Sequence, residues 1–197
     1  MTENYLHLTP LQAFLEPFPY FTSRQALGEL FSSAFRQWLE AEAPWKLVAT
    51  DFYEQYEFSL FDASLPPAFE FLAERPFLDD LRNQIEGIFG CDLNARIDCT
   101  AHKLIPGQRI RIHNDFRPGA ETHRLLIQIN RGWQESQGGF LMLFNSEEAS
   151  DVHCIIPPFN DSAVGFAISE KSNHAVSAVH GGDRYTLVFS FYDADVG

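Results

Sequence analysis

The sequence predicts an α+β chain that is mostly β, a double-stranded β-helix (jelly roll) with supporting helices in its N-terminal half. Two observations predict it. Up to about residue 92, two blocks carry apolar residues at helical spacing. Beyond Asp92 the texture changes to short runs separated by Pro, Gly, Asn and Asp at intervals of roughly eight to twelve residues, the mark of a sandwich or barrel.

In order along the chain, Thr22 and Ser23 follow "EPFPYF" and can cap a first helix. Its apolar positions are Leu27, Leu30, Phe31, Ala34, Phe35, Trp38 and Leu39, and Pro44 stops it. The aromatic, partly alternating segment "WKLVATDFYEQYEFSLF" reads as extended. A second helical block runs from about Pro67 to Phe89, broken near Pro76, and Gly90 can close it in a left-handed cap. The predicted strands are then "ARIDCTAHKLI", "RIRIH", "HRLLIQIN", "GGFLMLF", "DVHCIIP", "SAVGFAI", "HAVSAV" and "RYTLVFSFY". Antiparallel runs of this number and length suit a double-sheet jelly roll. No internal repeat or linker divides the chain. We expect one domain over 1–197, with about 1–92 as a helical and extended support region covering an outer face of a core at about 93–192.

Composition bounds the function. The chain is 45% hydrophobic, with 19 phenylalanines, which suffices for a full core. A net charge of −13 repels phosphate backbones and anionic surfaces, so neither nucleic acid nor membrane is an expected partner. Cys91, Cys99 and Cys154 have no CxxC spacing and read as reduced thiols. No signal-peptide pattern opens the sequence and no apolar run is long enough to span a bilayer, so the expectation is a cytoplasmic protein.

The chemistry centres on "RIRIHNDFRPG", Arg109 to Gly119. In a strand, residues i and i+2 share a face, so His113 and Asp115 can address one point in space. A third ligand must come from His123, His153, His174 or His180. Imidazole and carboxylate on one face with open positions opposite make the facial triad of non-haem Fe(II) oxygenases. On spacing alone, a solvated turn produces the same pair.

From about Ala95 to Tyr192 the sequence resembles the prolyl-hydroxylase-like branch of the 2-oxoglutarate/Fe(II) oxygenases. The resemblance lies in an ordered series: "PGQRIRIHND", Arg124 leading "LLIQIN", "GGFLMLF", "PPFNDSAVGF" and "HAVSAVHGGDRYTLVFSF". It implies an iron triad of His113, Asp115 and His174, with Arg184, ten residues beyond His174, binding the far carboxylate of 2-oxoglutarate. His180, in the turn "VHGGD", reads as a surface histidine. Thr186 and Gln128 are further candidates for the cosubstrate. Gln128 stands where many relatives have tyrosine, and the common Tyr-x-Pro-Gly is here Leu104-Ile105-Pro106-Gly107.

The resemblance implies a dioxygenase that uses Fe(II), 2-oxoglutarate and O2, with ascorbate a candidate auxiliary, and releases succinate and CO2 as it hydroxylates a C–H bond. Asp115 favours hydroxylation over halogenation, because halogenating relatives lack that carboxylate. Ser190 stands where nucleic-acid demethylases carry a second arginine. A peptidyl side chain such as proline, or a small molecule, is therefore the expected substrate. The alternative is a cupin-like metal-binding jelly roll without oxygenase activity. Arg124 is read either at the pocket mouth or paired with Glu121; His102 and His123 are candidates to touch substrate, with satisfied or solvated strand histidines the preferred reading. The segments Arg117 to Thr122 and Arg131 to Gly138 read as candidate walls, and their content, including Trp133 and the flexible "QESQGG", fits a lid and an ordinary solvated turn equally. Substrate is expected to enter between the helical N-terminal half and the open end of the jelly roll.

Overall fold

A computed structural model describes residues 6–194. Strands β1 (Thr9–Phe14) and β2 (Tyr20–Gln25) precede helix α1 (Glu29–Ala41), and β3 (Lys46–Ala49) and β4 (Glu54–Ser59) form a hairpin. A 3-10 turn at Pro67–Ala73 leads into α2 (Arg75–Phe89), and Gly90 at φ 67° ends it in the expected left-handed cap. Then follow β5 (Leu93–Leu104), β6 (Ile110–His113), β7 (His123–Gln128), β8 (Leu141–Phe144), β9 (Val152–Ile156), β10 (Ala163–Ala167), β11 (His174–Val176) and β12 (Arg184–Asp193). These last eight strands coincide with the eight runs read from sequence.

Two antiparallel sheets face each other. The larger has the order β1-β2-β10-β7-β12-β5-β4-β3 and the smaller β6-β11-β8-β9. The N-terminal strands thus extend the large sheet on both sides of its jelly-roll strands.

Alternation along β12 divides the interior. Tyr185, Leu187, Phe189 and Phe191 point to the outer face, where Phe35, Trp38 and Leu39 of α1 and Phe77, Leu81 and Ile85 of α2 cover them. Arg184, Thr186, Val188, Ser190 and Tyr192 point between the sheets and line a cavity. Leu126, Val164 and Phe166 fill that inner layer against Leu141, Leu143 and Val176 of the small sheet. Helices on one face therefore leave the other free for chemistry.

The N-terminus of α1 differs from expectation. Thr22 and Ser23 lie in β2, paired with β10, and cap nothing. The cap comes from 129 to 134 residues away: buried Asp161 accepts from the backbone N–H of Leu27 (2.8 Å) and Gly28 (3.0 Å) and from Ser32 Oγ (3.1 Å). Its own N–H donates to Gln128 O at 2.8 Å, which ties the helix to the end of β7. A backbone φ of 63° aims the carboxylate at these donors, in a left-handed region that Asp tolerates better than most residues.

Asp161→Ala leaves the Leu27 N–H and the Ser32 hydroxyl buried and unpaired, so we expect a loss of about 2–4 kcal/mol of stability. The corresponding fall in Tm is roughly 4–16 °C for a chain of this size. A thermal melt within about 1 °C of wild type would show that the cap is dispensable.

Candidate functional site

His113 and His174 are cross-strand partners on β6 and β11, with ring centroids 4.2 Å apart. Asp115 joins them: its Oδ1 lies 3.4 Å from His113 Nε2 and its Oδ2 3.1 Å from His174 Nε2. One ligand atom from each side chain falls within 4.8 Å of the others, which fits a single metal ion. The expected strand alternation is not what places Asp115, because β6 ends at His113. Instead the backbone turns left-handed at Asp115, φ 60°, and the turn is pinned by Asn114 Nδ2 donating to Glu170 O and Ser172 Oγ donating to Asn114 O.

The imidazoles are pre-oriented. His113 Nδ1 donates to Arg111 O and His174 Nδ1 to Ser172 O, both at 2.8 Å, so each Nε2 presents a lone pair to the centre. Burial favours neutral His174 and lowers its pKa, as a metal ligand requires, although Asp115 pulls the other way. Phe52 packs on the His113 ring and Phe166 on the His174 ring, at 4.9 and 4.8 Å between centroids.

Arg124 combines both readings made of it. Its guanidinium bonds to Asp115 Oδ2 and to Glu121. Burial alone would push the Asp115 carboxyl up, but Arg124 and the two histidines hold it well below the usual carboxylate range. The carboxylate is therefore a permanent anion.

Ten residues beyond His174, Arg184 is 4% exposed at the start of β12. Its Nε donates to Gly139 O at 2.8 Å and its Nη1 to Thr186 Oγ1 at 2.7 Å, and among the described residues no carboxylate pairs with it. Burial lowers its pKa to about 10. Gly139 makes its position available, and Gly138 before it lets the segment pass close to Ala178. Both have positive φ, and a Cβ on Gly139 would stand 2.9 Å from Arg184 Cδ, and one on Gly138 2.2 Å from Ala178 O.

Triad and Arg184 share a cavity of about 1080 Å³, walled by Leu126, Leu141, Val176 and Val188 and bordered by Tyr53, Glu57, Thr100 and His102. It is a half-open pocket that combines apolar walls with charged groups. Thr186 lines it, but its hydroxyl donates to Gln128 Oε1 at 3.0 Å, and Gln128 itself lies behind Thr186, off the cavity wall.

Other candidates separate cleanly. His180 is exposed and outside the cluster. His123 packs against Phe89 on the helix side, and His153 is exposed on β9. Arg117 and Gly119 to Glu121 do line the cavity. The segment 131–138 does not: Trp133 is buried and donates to Gly138 O, and Gln137 donates to Gly181 O, so it buttresses Arg184 from behind. No residue of α1 or α2 lines the cavity; its N-terminal wall comes from β4 and the turn before it, where Phe52 O accepts from Arg111 N. That wall was missed because Phe52 reads as one more core phenylalanine.

His102 was read as a satisfied or solvated strand histidine, and it is a cavity residue, bonded through Nδ1 to Gln55 Nε2 at 3.2 Å. Burial, then Arg124 and Arg184, lower its pKa to about 3 from an ordinary 6.5. Between those values the unfolded chain binds the additional proton, so stability falls as pH falls through that window. From pH 6.5 to 4.5, wild type should lose roughly 2–3 kcal/mol more than His102→Gln. Urea unfolding at both pH values checks this, and equal losses would show that the folded ring is free to charge.

Comparison with known proteins places this geometry. The family described as the 2OG-Fe(II) oxygenase superfamily matches residues 99–192. No curated protein matches the sequence. Among solved structures, a Pseudomonas putida prolyl-4-hydroxylase is similar at 21% identity and a TM-score of 0.71, over 88% of this chain and 92% of that one. A prolyl hydroxylase from Trichoplax adhaerens, solved with a hypoxia inducible factor oxygen degradation domain peptide fragment, is similar at 15% identity and a TM-score of 0.68, over 90% and 84%. HygX from Streptomyces hygroscopicus, solved with nickel and 2-oxoglutarate, is similar at 14% identity and a TM-score of 0.63, over 89% and 83%. At these identities the likeness is one of fold.

Proposed function

We propose that the chain is a 2OG-Fe(II) oxygenase, the superfamily whose model matches residues 99–192, and that it uses Fe(II) and 2-oxoglutarate to hydroxylate a C–H bond of a peptidyl side chain such as proline, or of a small molecule. One observation carries the reading. A three-ligand cluster and a buried guanidinium without an acidic partner face the same cavity. A buried unpaired charge is costly, and a dicarboxylate spanning the two groups removes the cost.

His113 Nε2, the Asp115 carboxylate and His174 Nε2 would hold Fe(II), which would supply O2 activation coupled to decarboxylation of 2-oxoglutarate to succinate and CO2. The protein does the rest. Arg111 and Ser172 carbonyls keep both imidazoles in the ligating tautomer. Arg124 keeps Asp115 anionic and oriented. Arg184 has its Nε and one Nη1 N–H engaged and turns its remaining N–H groups to the far carboxylate, for which its planar fork is suited. Leu126, Val176 and Val188 give the cavity its apolar wall.

Asp115 in the ligand set favours hydroxylation over halogenation. Ser190 on the cavity wall and the −13 charge weigh against a nucleic-acid substrate. The peptide-bound Trichoplax hydroxylase is a precedent of fold for a peptide, and HygX, solved with nickel and 2-oxoglutarate, is one for the cosubstrate. The cupin-like alternative leaves Arg184 without an anion, and we set it aside.

Anaerobic addition of Fe(II) and 2-oxoglutarate should produce a visible metal-to-ligand absorption band; its absence would overturn the proposal. Arg184→Ala should weaken 2-oxoglutarate at least tenfold while sparing iron, as loss of a charge-assisted contact of roughly 1.5–3 kcal/mol requires. To identify the substrate, peptide and metabolite pools are incubated with the iron-loaded enzyme, and products that gain one oxygen in step with succinate are sought by mass spectrometry. Coupling to methylated nucleic acids alone would contradict the substrate reading.

A further inference from the structure

We propose that His102 is a cosubstrate-recognition residue, a neutral imidazole that donates its Nε2–H to the far carboxylate of 2-oxoglutarate beside Arg184. The inference rests on the reading that this cavity takes 2-oxoglutarate. Three observations carry it.

The first is position. On β5, His102 stands directly across the ladder from Thr186 of β12 and, on its other side, from Glu57 of β4. Directly opposed residues on one sheet face have Cβ atoms roughly 4.5–5.5 Å apart. The ring therefore lies over the floor that Arg184 and Thr186 share, and it lines the cavity.

The second is the proton. Gln55 Nε2 donates to Glu57 Oε2 at 2.8 Å and to His102 Nδ1 at 3.2 Å. Turning the amide over would set its carbonyl oxygen against the Glu57 carboxylate, so the nitrogen must face both partners. His102 Nδ1 is then an acceptor, and the ring proton sits on Nε2. Among the described residues no acceptor lies within hydrogen-bond distance of that N–H; the Glu57 carboxylate is 4.0 Å away. Burial and the two neighbouring guanidinium groups prevent the ring from charging, which keeps it a neutral donor.

The third is the shortage of other neutral donors. A carboxylate accepts more hydrogen bonds than one guanidinium edge supplies. The Thr186 hydroxyl accepts from Arg184 and gives its own proton to Gln128, and Gln128 does not reach the cavity wall. Leu104, opposite Arg184 on β5, has no donor at all. His102 is the remaining neutral N–H or O–H beside Thr186 in the strand register.

The test compares wild type, His102→Phe and His102→Gln, each loaded anaerobically with Fe(II) and titrated with 2-oxoglutarate and with 2-oxopentanoate, which carries a methyl in place of the far carboxylate. The visible band reports binding, and thermal melts report folding. His102→Phe should weaken 2-oxoglutarate about tenfold with iron affinity unchanged, and His102→Gln, which retains an N–H, should recover part of the loss. For 2-oxopentanoate, all three proteins should bind alike. Equal weakening of both ligands by His102→Phe, or a rise in substrate KM with 2-oxoglutarate affinity unchanged, would overturn the assignment. If wild type itself gave no band, the 2-oxoglutarate reading would fail first, independently of His102.

Discussion

A buried guanidinium without an anion organises the inner half of this molecule. Arg184 sits at the start of the central strand β12, and leaving it there unpaired costs several kcal/mol. The fold surrounds it with partial compensation: a carbonyl from Gly139, a hydroxyl from Thr186, and no acid. A fold selected for stability alone would put a carboxylate or an aliphatic side chain at this position. The glycines that open room for the arginine, and the Trp133 and Gln137 bonds that lock the segment behind it, make sense only if the charge is to be neutralised from the cavity side.

The metal-ligand cluster shows the complementary arrangement. There the negative charge is Asp115, and Arg124 with Glu121 forms a relay that extends it into the wall. The metal ligands stand on β6, β11 and the turn after β6, Arg184 stands on β12 of the facing large sheet, and the cavity they share is lined by apolar residues that include Leu126 and Val188. A ligand with one chelating end and one anionic end fits that spacing of charge. A ligand with a single polar group would leave one pole unsolvated.

Much of this was legible in the sequence, and the exceptions have physical causes. The jelly-roll strands follow from period-two alternation because each has one face toward helices and one toward the cavity. His174 and Arg184 could be chosen because motif order constrains them. The hairpin of β1 and β2 was not legible: β1 is an exposed edge strand whose residues follow no burial pattern. The α1 cap was assigned to nearby hydroxyls because local rules cannot see Asp161, more than a hundred residues away in sequence. Asp115 was placed on the right side for the wrong reason, since a left-handed turn rather than a strand directs it. The supposed lid at 131–138 read as flexible from its polar and glycine-rich composition, yet its side chains close hydrogen bonds onto the segment carrying Gly181.

The same limit explains why His102 was set aside. A strand histidine carries no signature of its tautomer, which here depends on Gln55 and Glu57 of another strand and therefore on the pairing of β4 with β5. Those residues come from the N-terminal half, whose expected role was support. In the folded chain β4 extends the catalytic sheet and supplies both the amide that fixes the imidazole proton and the aromatic turn that packs on His113. Support region and site are thus coupled through the β4–β5 ladder. A change there would redirect one N–H of the cavity wall without touching His113, Asp115 or His174, because the amide that fixes the imidazole proton belongs to β4.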